Sequence, residues 1–137
     1  LRTADAAGFG AILLVDTSLD LYNPNIIRSS TGACFLDNVY VVSGEEAILF
    51  FRERDYTIIA AEVEASQDLH SVDFPARSAI MLGTEDQGLD DGWLQYANIR
   101  VRIPMMGVLS DSLNVSVSGA VIMYEVLRQR ALSDANL

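Results

Sequence analysis

The apolar positions of this chain fall into short unbroken runs, separated by polar, Gly- or Pro-containing stretches. Gly10 to Asp16 (GAILLVD) is the first run. An apolar run without polar alternation predicts a strand buried on both faces. Val39-Tyr40-Val41-Val42 predicts a second strand. Directly after it, Ser43 is followed three residues later by Glu46, a capping-box spacing. The pattern predicts a helix from about Glu45 to Arg54, with Ala47, Leu49, Phe50 and Phe51 turned inward. Tyr56 to Val63, Ser78 to Leu82 and Ile99 to Ile103 predict three more strands, and Leu113 to Arg130 a long helix. A short helical piece, Leu1 to Gly8, precedes the first strand. Strands alternating with helices predict an α/β domain with a parallel sheet flanked by helices.

Length adds that one domain is enough. A chain of 137 residues can bury about two-thirds of its unfolded surface. No apolar run reaches the ~18 residues of a membrane span, and the first residues carry no secretory pattern. The one cysteine, Cys34, cannot form an internal disulfide, which fits a reducing, cytoplasmic location. With one His and one Cys, no metal site is expected, since zinc asks for three or four such ligands.

Charge changes the picture further. Nineteen acids against nine bases give a net charge of −10. That balance disfavours non-specific nucleic-acid binding. All nine bases are Arg, however, and the guanidinium forks onto phosphate in a way an ammonium does not. A local arginine site for phosphate therefore stays open.

Several candidate sites fail on pattern. Gly8-Phe9-Gly10 precedes a strand instead of following one and lacks a third Gly, so it reads as a tight helix-to-strand turn, not a dinucleotide loop. Neither a Walker A sequence nor a G-x-S-x-G elbow occurs. His70 lies in a polar, loop-like stretch from Gln67 to Asp73, and Cys34 reads as a small core residue.

Three segments remain. Leu82-Gly83-Thr84-Glu85-Asp86-Gln87-Gly88-Leu89 follows a buried strand, where open α/β sheets bind ligands. Gly83 and Gly88 permit close backbone approach, and an ordinary turn into a capped helix stands beside this reading at even weight. Ile103-Pro104-Met105-Met106-Gly107 also follows a strand, with methionines as an adaptable apolar wall. Ser112 or Asn114 can cap the helix beyond it, whose small face of Ser116, Gly119 and Ala120 permits close packing. Asn23 to Gly32 places Arg28 among small hydroxyl residues, either a phosphate site or a solvated short helix.

Taken in order, these segments resemble the SpoU (TrmH) family of RNA ribose 2′-O-methyltransferases, in the SPOUT superfamily. Leu1 to Gly10 looks like the second half of that family's first motif, Leu82 to Leu89 like its second, and Ile103 through Val117, ending at Tyr124-Glu125 and Arg128-Gln129-Arg130, like its third. Asn23 to Gly32 is similar to a stretch between the first two. The resemblance implies one SpoU-type catalytic domain over residues 1–137, without the family's N-terminal strand and RNA-binding domain, and with a C-terminal trefoil knot. It implies S-adenosylmethionine as cofactor, lined by Leu82, Gly83, Gly88, Ile103, Pro104, Met105 and Leu113, with Ala61 as a weaker contact. Arg2 matches the catalytic Arg, and Glu85, Ser112 and Asn114 match motif residues of the active-site loops. Arg2 and Arg28 are the implied grips on RNA phosphate, and the last helix the implied homodimer interface. The loop from Gly107 to Ser112 is one residue longer than the family pattern. The expected substrate is RNA, ribosomal in preference to transfer RNA. The alternative is a knotted module that binds RNA or cofactor without catalysis.

Overall fold

The computed structural model describes residues 1–65 and 67–135. It divides into two compact units, Leu1–Phe50 and Phe51–Leu137.

In the first unit, α1 (Arg2–Ala6) runs into β1 (Ile12–Val15) through Gly8, which takes a left-handed φ of 72°. The tight turn read from Gly8-Phe9-Gly10 is thus present. β1 pairs in parallel with β2 (Val39–Val42), Ile12 opposite Val39. All four β1 residues are half-buried, so burial on both faces was an overestimate. Asn23 caps α2 (Pro24–Ser29): its Oδ1 accepts the Asn25 N–H at 2.9 Å, and Pro24 supplies a preset φ at the first position. Asn23 to Gly32 therefore contains the short helix. A 3-10 turn, Ala33–Phe35, follows and buries Cys34.

The capping box forms as read. The Ser43 N–H donates to Glu46 Oε2 at 2.8 Å, and the Glu46 N–H to Ser43 Oγ at 3.2 Å. These bonds hold the Glu46 carboxyl below its usual range, the Ser43 backbone bond contributing most. The helix they open, α3 (Gly44–Glu53), buries Gly44, Ala47 and Ile48, positions i, i+3 and i+4. Leu49 and Phe50 are exposed, contrary to the sequence reading. The register begins at Gly44, and successive residues turn about 100° away from the buried stripe.

The second unit is built on a fully parallel four-stranded sheet in the order β4-β6-β3-β5. The strands are β3 (Thr57–Ala61), β4 (Gln67–Asp68), β5 (Ser78–Met81) and β6 (Ile99–Arg102). The six strands among the described residues thus fall into two separate parallel ladders, where one sheet was expected. Gln67 to Asp73 was read as a polar loop. It instead holds β4 and a 3-10 turn, Leu69–Ser71, that sinks Leu69 and Val72 into the core with Ile59, Val101 and Ile122. Two apolar residues spaced three apart among polar ones gave too little periodicity to mark an element.

Asp90 caps α4 (Asp91–Leu94), its Oδ1 accepting from the Trp93 N–H at 3.0 Å. The last helix, α5, runs from Val115 to Ala135. It buries Gly119, Ile122, Glu125 and Val126, while Val117, Val121, Tyr124 and Leu127 are exposed on another face. Among the described residues, no helix is long and apolar enough to cross a membrane.

Candidate active site

The carboxyl ends of β3, β5 and β6 set the geometry. Ala60 lies opposite Met81, and Ala61 opposite Val101, in one parallel register. Ala61, Leu82 and Ile103 therefore leave the sheet on the same edge, and the loops 82–90 and 103–114 rise from it. This is the edge at which open parallel sheets bind ligands. A cleft of about 300 Å³ opens at the other end, beside Arg52, Tyr96 and Asn98 at the starts of β3 and β6, and includes none of the sequence-predicted site residues.

Loop 82–90 closes on itself. Thr84 and Gly88 form an antiparallel bridge, Thr84 N–H to Gly88 O at 3.1 Å and Gly88 N–H to Thr84 O at 2.9 Å. Gly83 lies so close under Gly88 that a Cβ there would overlap the Gly88 carbonyl and the Leu89 nitrogen. Gly88 turns the loop with φ of 66°. Both glycines are thus required by the backbone. Gly83→Ala is expected to force the bridge open, costing about 1–3 kcal/mol as overpacking against atoms that cannot rotate away. A thermal melt several degrees lower checks it, and an unchanged melt with the bridge intact would refute it.

Loop 103–114 carries neither helix nor strand. Ile103, Pro104 and Met105 are half-buried at its start, and Ile103 packs against the core. Met106 is 93% exposed and Val108 and Leu109 each 99%. The methionine wall read from sequence thus reduces to Met105. Its neighbour Met106 lies where the loop leaves the core and is exposed, like the residues that follow it. Leu113 is exposed next to α5.

Asn114 joins the two loops. Its Nδ2 donates to Glu85 Oε1 and its Oδ1 accepts the Ser116 N–H at 2.8 Å. It is therefore the cap of α5 as well as the partner of Glu85, and both ends of its amide are engaged. Ser112 is not the cap. Among the described residues its hydroxyl meets only Asp111 Oδ1, at 3.5 Å. A Cβ on Gly119 would fall 2.9 Å from Leu82 Cδ1. The small face of α5 is thus filled at Gly119 by the chain's own β5 exit. The small residues do permit close packing, as the sequence predicts, but the partner at this position is Leu82.

Arg2 is exposed on α1 and Arg28 on α2, both in the first unit, whereas Ala61, Leu82, Gly83, Glu85, Gly88 and loop 103–114 belong to the second.

The sequence reading named Glu125, Arg128 and Gln129 as the end of the third motif but did not foresee that they form one cluster. Glu125, only 7% exposed, accepts both Arg128 Nε at 2.8 Å and Arg128 Nη2 at 2.7 Å, and Gln129 Nε2 at 2.9 Å. Gln129 in turn donates to Val72 O at 2.9 Å and accepts from the Phe74 N–H at 2.9 Å, tying α5 to the chain ahead of β5. The Arg128 fork, with Gln129 and then His70 adding to it against the effect of burial, holds the Glu125 carboxyl down to about 2. The available signal was an acid between Ile122 and Val126 with Arg and Gln three and four residues on.

A model of the SpoU rRNA Methylase family matches residues 1–124. The chain belongs to that family. Within the SpoU family it is 32% identical over 136 residues to a 23S rRNA (uridine(2479)-2′-O)-methyltransferase of Streptomyces viridochromogenes, covering 95% of this chain and 47% of that protein. It is 40% identical over 86 residues to the tRNA (guanosine(18)-2′-O)-methyltransferase of Thermus thermophilus, covering 62% of this chain and 44% of that one. The crystal structure of an AdoMet-bound rRNA methyltransferase from Sinorhizobium meliloti superposes with a TM-score of 0.84 at 27% identity, over 93% of this chain and 49% of that one. The chain spans about half the length of these SpoU relatives. The likeness establishes the α/β fold with parallel sheets flanked by helices.

Proposed function

We propose that this chain is a single SpoU-type catalytic domain that methylates a ribose 2′-hydroxyl of RNA from S-adenosylmethionine. The observation that carries the reading is the Glu85–Asn114 hydrogen bond, which holds the second- and third-motif loops together at the carboxyl edge of the sheet.

The site fits the cofactor in kind. Gly83 and Gly88 keep one loop wall free of side chains, and Ile103, Met105 and Leu113 offer apolar surface to an adenosine. Leu82, Pro104 and, less directly, Ala61 complete the proposed lining. Bound S-adenosylmethionine supplies a methyl already activated on a sulfonium, so the protein's task is alignment and removal of one proton. Alignment of this kind is worth about 7–11 kcal/mol at best. Arg2 grips the phosphate beside the target ribose and orients the hydroxyl. A guanidinium offers no lone pair to take up a proton and is a poor base, so the proton leaves to another acceptor. With its amide already bonded to Glu85 and Ser116, Asn114 acts chiefly by positioning the loops. Ser112 is exposed and available to substrate, and Arg28 is the second phosphate grip.

The finer expectations are part of the same proposal. The C-terminal segment forms the trefoil knot that the family resemblance implies. The chain works as a cytoplasmic homodimer through the last helix, supported by the exposed apolar row Val117, Val121, Tyr124 and Leu127 on α5. Ribosomal RNA is favoured over tRNA, since the rRNA relative aligns along 95% of this chain and the tRNA relative along 62%.

Calorimetric titration of S-adenosylmethionine into the chain tests the reading. Binding in the micromolar range, roughly −8 kcal/mol, is expected. A folded chain that binds no cofactor would refute it. Binding without methyl transfer to any ribosomal or transfer RNA would leave a binding module instead of an enzyme.

A further inference from the structure

Tyr22 and Phe35 form an aromatic pair on the surface of the first unit. Their ring centroids are 5.5 Å apart with planes inclined by 18°, and each residue is 61% exposed. The backbone at both ends is nevertheless fixed. The Tyr22 N–H donates to Asp20 Oδ1 at 3.0 Å, and Asn23 beside it caps α2. Beyond α2, Gly32 bonds back to Ile27 O at 3.1 Å and Phe35 to Gly32 O at 3.0 Å. The short helix therefore holds two parallel rings in place before any ligand arrives, which lowers the ordering cost of binding.

The surroundings select the ligand. Between Asp20 and Asp37 the sequence has no further acid and one base, Arg28, exposed on α2. In a chain of net charge −10 such a stretch is a place where a polyanion can approach. Few phosphates can be neutralised by so acidic a chain, so contacts that do not depend on charge would add most to the RNA affinity of this part. Stacking of bases on aromatic rings is such a contact, and it tolerates any base because every base has a π-face.

We propose that Tyr22 and Phe35 are a stacking platform for an unpaired base of the RNA substrate, with Arg28 taking a neighbouring phosphate. The proposal rests on the RNA reading above.

The test uses the full chain with a mixed-sequence single-stranded RNA carrying one 2-aminopurine, and an abasic oligonucleotide of the same length. The wild-type chain is expected to quench the 2-aminopurine and to prefer the intact RNA. Tyr22→Ala and Phe35→Ala should each weaken intact-RNA binding roughly five- to one-hundred-fold, with abasic binding and the slope of affinity against salt unchanged. Tyr22→Phe should retain the wild-type affinity, and Arg28→Ala should make the salt slope shallower by about 1. Equal wild-type affinity for intact and abasic RNA would overturn the platform alone. So would alanine variants that bind as wild type, or that lose a dimer in sedimentation, which would assign the rings to a second copy. A wild-type chain that binds neither RNA would overturn the RNA reading and the platform together.

Discussion

Glu125→Gln is expected to destabilise the folded chain by about 2–4 kcal/mol at pH 7, the scale of losing hydrogen bonds to a buried charge. The carboxylate lies 7% exposed on α5, and its two oxygens take the Arg128 fork and the Gln129 amide. Glutamine keeps the shape but removes the charge that these donors face. Gln129 is then less firmly oriented toward Val72 and Phe74, so the loss extends to the segment ahead of β5. His70 adds little, because its side chain is 67% exposed and its Nδ1 lies 3.9 Å away. The pH dependence separates charge from packing. The Glu125 carboxyl is lowered from 4.5 to about 2 in the folded chain. A lowered carboxyl pKa stabilises above the unfolded value and loses that contribution as pH falls through the folded one. The gap between wild type and variant should thus be full above pH 4.5 and close toward pH 2. Urea denaturation at pH 7 and pH 3 measures this, and a gap of equal size at both would show that the charge is not what stabilises.

Arg2→Ala is expected to lower methyl transfer by about 10²–10³-fold, the usual loss when one preorganised charged donor is removed. Cofactor binding should be unchanged, because the proposed cofactor residues lie on loops 82–90 and 103–114 and not on α1. Arg2→Lys should recover only part of the rate, since an ammonium keeps the charge but not the planar fork. Single-turnover transfer to a methylatable RNA, with calorimetry of the cofactor alongside, reads the two effects apart. Unchanged transfer in the alanine variant would remove Arg2 from the mechanism. Equal loss of cofactor affinity would make its role structural.

The sequence by itself determined the elements whose signals are local. Among the described residues, five of the six strands follow from apolar runs, and α3 follows from a capping box that closes within four residues. At the ends of β5 and β6 the turn and the cap were legible for the same reason: the backbone there needs Gly83 and Gly88, and Asn114 caps the helix it precedes. What only the tertiary structure decided depends on partners distant along the chain. Which face of α3 is buried turned on its starting register, so Ile48 went inward and Leu49 and Phe50 outward. The two-residue strand β4 exists because Gln67 and Asp68 find β6, not because of any pattern of their own. Gly119 is small because Leu82 packs on it, a contact across 37 positions of chain, and Asn114 reaches Glu85 across 29. Local hydrogen bonds and periodicity are written in neighbouring residues, whereas packing partners and strand order are settled by what the folded chain brings together.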